Sequence, residues 1–179
     1  MDVAEADALV RVQERYLNTV TAKTHFTAAF IRQMHKDWLG SLYDWAGQYR
    51  TVDLTKRGFT WLFAGSVGEN MERFERSWLA RKTPFRPLSR AQAARDLAIM
   101  HSELLFIHPF REGNGRIARW LVSLLCLQAD LPDPAYGLVG KNSRRQRERY
   151  LQAVRQGYDE EYDALTEFFA EALVRADSE

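Results

Sequence analysis

The sequence is short of everything that would hold it together covalently or fix it in a bilayer. Its 179 residues include a single cysteine, Cys126, which excludes an internal disulfide. Lying in the apolar run Leu121 to Leu127, that thiol reads as buried and inert. No apolar run approaches the ~18 residues needed to cross a membrane, and Met1-Asp2-Val3-Ala4-Glu5 has neither the basic nor the apolar segment of an export signal. The expected address is cytoplasmic. A formal net charge of +1 gives no global pull toward nucleic acid or anionic lipid, so electrostatic work must be local. Internal repeats and low-complexity linkers are also missing, which leaves one domain over residues 1–179.

What is present is a globular composition, 46% apolar and 27% charged, patterned mostly for helices. Asp2 to Leu17 is polar with scattered apolar positions, a loosely docked helix. Phe30, Met34 and Trp38 recur at helical spacing. Ser66-Val67-Gly68-Glu69, Ser89-Arg90-Ala91-Gln92 and Ser143-Arg144-Arg145-Gln146 have the form of capping boxes. The first would open a helix presenting Met71, Phe74, Trp78 and Leu79. The second would open a core helix carrying Leu97, Met100 or His101, Leu104 and Ile107, ended by Pro109. Ile117, Trp120, Leu121, Leu124 and Leu125 then resume the period up to the turn Leu131-Pro132-Asp133-Pro134. The third would lead to Tyr150 and Val154, followed by a helix from about Glu160 to Val174. Only Gln48 to Phe63 reads as strand, turning at Lys56-Arg57-Gly58. An all-α body with one inserted β-hairpin is the expected fold class.

Residues 108–119 read H-P-F-R-E-G-N-G-R-I-A-R, and no hydrophobic core requires that combination. A helix that starts near Arg116 presents free N–H groups and a dipole to an anion beside His108. Gly113 and Gly115 allow left-handed backbone angles, so successive amides can converge on phosphate oxygens, and Asn114 can add a side-chain donor. Arg116 and Arg119 can grip further phosphates. Glu112 offers a hard oxygen suited to magnesium, and His108 can take a proton from an attacking hydroxyl near neutral pH. Together these parts describe nucleotidyl or phosphoryl transfer, without a phosphate-loop or kinase signature. His101 and His108 stand two helical turns apart, about 10 Å, too far to share one zinc. Lys141, Arg144, Arg145, Arg147 and Arg149 form a basic run (141–149) that keeps a nucleic-acid module as a rival, though without interleaved aromatics or a reader motif.

The string resembles the signature of the Fic family, H-x-F-x-[DE]-G-N-G-R-x-x-R, at every fixed position. Trp45-Ala46-Gly47-Gln48-Tyr49-Arg50-Thr51-Val52 with Thr55-Lys56 resembles the segment leading into that family's flap hairpin. Tyr150 to Val154 and Tyr162 to Leu165 resemble its closing helices. The resemblance covers about 27–174 and leaves residues 1–26 as an N-terminal helical extension. It implies transfer of AMP from ATP to a hydroxyl of a target protein, with His108 as general base and Glu112 carrying Mg²⁺. In that scheme Gly113, Asn114 and Gly115 form the anion hole, Arg116 and Arg119 steady the outer phosphates, and Phe110 packs beneath the loop. Lys56 and Tyr150 complete the nucleotide site, and the flap, about 51–63, clamps an extended stretch of target. The Doc branch, which transfers phosphate, has alanine in place of Gly113; glycine here favours AMP transfer. The family's self-inhibitory [ST]-x-x-x-E-[GN] helix has no counterpart, since no Ser or Thr is followed by Glu four residues later. The resemblance is therefore to toxin-like members whose separate antitoxin supplies a glutamate opposite Arg119.

Overall fold

A computed structural model of the chain describes residues 3–56, 58–140 and 143–177. Arg57 in the expected turn, Lys141 in the basic run, and Met1 and Asp2 lie outside the described residues. The helices are α1 (Val3–Thr19), α2 (Ala28–Leu39), α3 (Val67–Phe74), α4 (Ala80–Lys82), α5 (Arg90–Ile107), α6 (Asn114–Gln128), α7 (Ser143–Gly157) and α8 (Asp163–Ala176). A two-stranded antiparallel hairpin, β1 (Thr55–Lys56) and β2 (Phe59–Thr60), interrupts them. The expected all-α body with one small hairpin is what forms.

The central element is α5. Ser89 caps it, accepting from the Gln92 amide at 3.1 Å, while Gln92 Oε1 accepts from the Leu88 amide. Its buried residues, among them Ala94, Leu97, Met100, His101, Leu104 and Ile107, fall on every side of the helix. It can bury them because α3, α6, α7 and α8 all pack against it. That cage fixes the C-terminal end of α5, and with it the start of the 108–119 segment. Cys126 is fully buried in α6, and burial pushes its thiol up.

Two expected caps are replaced. Ser66 has a helical backbone and donates its hydroxyl to the Phe63 carbonyl at 2.8 Å instead of capping α3, because a 3₁₀ turn over Ala64–Ser66 already precedes it. Ser143 is the first residue of α7 rather than the residue before it. The stripe after Ser66 is also shifted. A π-turn over Glu75–Leu79 inserts one extra residue per turn, so Met71, Phe74 and Leu79 are buried and Trp78 is left at the edge.

The α1 helix is not loosely docked. Ala8 and Tyr16 enter the core, the Glu5 carbonyl accepts from Trp38 Nε1 at 2.9 Å, and the Tyr16 hydroxyl donates to Asp37 at 2.9 Å. The strand region is much shorter than Gln48 to Phe63: only Thr55 pairs with Thr60 and Lys56 with Phe59. The carbonyls of Val52 and Leu62, which a longer ladder would use, instead accept from the Arg50 guanidinium. Trp61 turns inward and donates Nε1 to the Leu105 carbonyl.

Candidate active site

At the end of α5 the chain makes an abrupt reversal. His108 adopts left-handed angles, φ 50° and ψ 60°, a conformation that costs a residue with a Cβ roughly 1 kcal/mol or more. Three contacts hold it there. Its amide donates to the Leu104 carbonyl, its Nδ1 lies 3.0 Å from the Leu105 carbonyl, and its own carbonyl accepts from Arg50 Nε at 2.8 Å. A second left-handed residue, Gly113 with φ 83°, opens α6 at Asn114. The helix therefore starts two residues before Arg116, so the free amides of its first turn are those of Asn114 and Gly115. No side chain fits at Gly113: a Cβ there would meet Trp38 Cζ3 at 2.6 Å.

Asn114 does not act as a side-chain donor to an anion. It is buried, with Nδ2 donating to the Phe110 carbonyl and Oδ1 accepting from the Phe110 amide. What it contributes to the cavity is its backbone. Phe110, fully buried, stacks on His35 with centroids 3.9 Å apart. His35 Nδ1 accepts from the Gly47 amide at 2.9 Å, so its Nε2 carries the proton and donates to the Glu112 carbonyl at 3.1 Å.

His108 is fixed in a useful tautomer. With Nδ1–H donating to the Leu105 carbonyl, the Nε2 lone pair is left open. Burial pushes its pKa down to about 4, with Arg50 and Lys56 adding to the decrease against the opposing Leu105 carbonyl and Glu112. The reference value near neutrality assumed from sequence is thus replaced by a lower one. The imidazole is neutral throughout the physiological range, as a proton acceptor must be. Trp61 covers one face, with ring centroids 4.1 Å apart.

A cavity of about 550 Å³ opens in front of these groups. Lys56, Arg111, Arg116, Arg119, Arg147 and Arg155 line it against Glu112, the one carboxylate among the described lining residues. The structure brings together His108, Glu112, Gly113, Asn114, Gly115, Arg116, Arg119, Lys56 and Tyr150 at this one cavity. Arg116 also faces away from it: the guanidinium lies 3.6 Å from Glu5 and over the Trp38 ring at 5.2 Å. Tyr150 is buried, with its hydroxyl 2.7 Å from His101 Nε2, so only part of its ring meets the cavity. No group of three or more His, Cys, Asp or Glu able to hold a metal occurs among the described residues. The exposed Glu112 carboxylate spends one oxygen on the Gly113 amide at 3.2 Å. Its other oxygen suits a magnesium ion that completes its shell with phosphate and water.

Sequence reasoning missed three contributors. Arg50 and His35 act on backbone atoms far away in the chain, and no local pattern announces such contacts; an arginine inside a strand-like aromatic stretch was the only available sign. Arg155 lies beyond the basic run, and only the packing of α7 turns it, together with Arg147 of that run, to the cavity. Elsewhere in that run Arg149 forks onto Glu171, and Arg144 pairs with Glu148.

The model of the Fic/DOC family matches residues 25–126. The protein adenylyltransferase VbhT of Bartonella schoenbuchensis is 29% identical over 127 residues, covering 71% of this chain and 26% of VbhT. The protein adenylyltransferase Fic of Aedes aegypti is 31% identical over 148 residues, covering 80% of this chain and 28% of that protein. The chain thus spans about a quarter of the length of these curated relatives. The crystal structure of the BepC effector of Bartonella tribocorum, with bound AMPPNP, shares the fold with a TM-score of 0.73 at 19% identity, over 94% of this chain and 83% of that one.

Proposed function

The chain belongs to the Fic/DOC family, and we propose that it transfers AMP from ATP to a hydroxyl side chain of a target protein. The observation that carries this reading is a neutral His108, its Nε2 open, beside the Asn114 and Gly115 amides in a cavity of six cations. The same activity is named for the relatives VbhT and Fic.

The target hydroxyl oxygen attacks the α-phosphorus, the bond from that phosphorus to the bridging oxygen breaks, and pyrophosphate leaves. The hydroxyl proton passes to Nε2 of His108. The amides of Asn114 and Gly115, turned toward the cavity by the left-handed Gly113, and the helix dipole of α6 stabilise the phosphate oxygens, with Arg119 and Arg116 on the outer phosphates. Glu112 would hold magnesium, which supplies neutralisation of phosphate charge when bound. Lys56 reaches the nucleotide from the flap, and Tyr150 backs the base.

The flap, about 51–63, receives an extended stretch of target by backbone pairing; Val52 and Phe63, exposed at its two sides, offer apolar contact. Arg119 has no carboxylate ion-pair partner among the described residues, in keeping with a separate antitoxin that provides one. We also read residues 1–179 as one Fic domain with an N-terminal extension, acting in the cytoplasm; no helix among the described residues is long and apolar enough to cross a membrane. Phosphate transfer is disfavoured, because Gly113 stands where the Doc branch has alanine; the close packing of Trp38 keeps that position a glycine.

The test is incubation with Mg²⁺, ATP labelled at the α-phosphate and a cell lysate. Labelled proteins should appear with the wild-type chain and disappear with His108→Ala, while calorimetry shows that the variant still binds ATP. Equal labelling by the two would remove His108 from its role, and label arriving only in a parallel incubation with ATP labelled at the γ-phosphate would refute AMP transfer.

A further inference from the structure

Arg50 is buried within the fold, yet its guanidinium faces carbonyls rather than a close carboxylate. Nε donates to the His108 carbonyl at 2.8 Å, Nη1 to Val52 at 2.9 Å, and Nη2 to Leu62, with Ile107 at 3.4 Å. Its own amide donates to the Pro109 carbonyl at 2.9 Å. Asp53, 3.9 Å away and half-exposed, is engaged by the Ala64 amide at 2.7 Å. Val52 and Leu62 are the two roots of the flap, and Ile107, His108 and Pro109 are the hinge that sets the imidazole. One planar fork therefore binds both flap roots and the strained hinge at once. Lysine cannot reproduce this, because a single ammonium lacks the divergent, coplanar donors.

We propose that Arg50 is a positioning residue that registers the flap against His108, so that a target segment seated on the flap presents its hydroxyl to Nε2. The inference rests on the AMP-transfer reading and adds a residue that never touches the reacting atoms. Losing Arg50 releases the carbonyl that holds His108 at φ 50° and lets the flap roots separate from it. The phosphate cradle, built from α6 and Gly113, keeps its own contacts to Trp38, Phe110 and His35. The defect therefore lies far more in turnover than in nucleotide binding, of which only the Lys56 contact from the flap is loosened.

The experiment varies ATP at fixed lysate for wild type, Arg50→Lys and Arg50→Gln, with folding checked by circular dichroism. For both variants the KM for ATP and its Kd should stay near wild type. The maximal labelling rate should fall about 100-fold, the scale expected when reacting groups are misplaced by about 1 Å. Arg50→Lys should not rescue it. Wild-type rates in a folded variant would overturn the proposal, as would ATP affinity falling in step with rate. A wild-type chain that labels nothing would instead count against AMP transfer itself.

If both variants fail to fold, hydrogen exchange in the unaltered chain decides. The Arg50 amide, bonded to Pro109, and the Trp61 amide, bonded to Leu54 at 3.1 Å, should exchange in one cooperative opening. Independent exchange of the two would overturn the coupling.

Discussion

Asn114 gives both ends of its side-chain amide to Phe110: Nδ2 donates to the carbonyl at 2.7 Å and Oδ1 accepts from the amide at 2.8 Å. The pair closes the loop between α5 and α6 on itself. It holds the amide-bearing turn in shape before any ligand arrives, which is how a preorganised site avoids reorganisation cost.

Replacing Asn114 by alanine leaves two buried backbone groups of Phe110 unpaired, at a cost of about 2–4 kcal/mol. Denaturant unfolding should show that loss, together with weakened ATP binding. A stability unchanged from wild type would mean the loop does not depend on this clamp.

Gly113 and Gly115 should respond differently to alanine. At Gly113 the new methyl meets Trp38 at 2.6 Å and the backbone is left-handed, so about 2–4 kcal/mol of stability should be lost. At Gly115 the nearest atom is Arg119 Nη1 at 3.6 Å, and stability should hold within about 1 kcal/mol. Melting curves of the two variants side by side check the contrast; equal destabilisation would contradict the packing at Trp38.

Arg119→Ala removes a cation from the cavity wall. We expect the KM for ATP to rise about tenfold or more, the loss of one charge-assisted contact, with little change in stability. Unchanged kinetics would place Arg119 outside the nucleotide grip.

Stability should fall on acidification before most carboxylates titrate. Burial lowers His35 to about 4, His101 to about 3 and His108 to about 4. Each favours the neutral form in the folded state, so the stability it contributes is complete above the unfolded value near 6.5. It is lost as pH drops from there toward the folded values. Each histidine contributes on the order of 2–3 kcal/mol to this dependence. Melting temperatures measured from pH 7.5 to 5 should decline steadily, with net proton uptake on unfolding at pH 5.5. A flat profile across that window would show that these imidazoles are not buried neutral.

Several features were legible before any coordinates. The helical stripes of α2, α5 and α6 were readable because a 3.6-residue period records directly which side is buried. Leu97, Leu104 and Ile107, and Trp120, Leu121 and Leu124, are all in the core. The cap at Ser89 was readable too, since its partners lie within four residues. The hairpin length was not, because its limit is set by Arg50 drawing off the Val52 and Leu62 carbonyls. Nor was the π-turn over Glu75–Leu79 that leaves Trp78 at the edge while Leu79 is buried.

The sequence by itself determined which groups meet in the 108–119 turn, because the chain delivers His108, Glu112, the two glycines and both arginines within twelve consecutive positions. Tertiary structure alone decided their condition. His35, Trp38 and Arg50 arrive from 58 or more positions before the residues of that turn they hold, and they fix the backbone angles and the room at Gly113. Hydrogen bonds to main-chain atoms and van der Waals exclusion are blind to sequence distance. They leave no periodic trace, and only the folded chain reveals them.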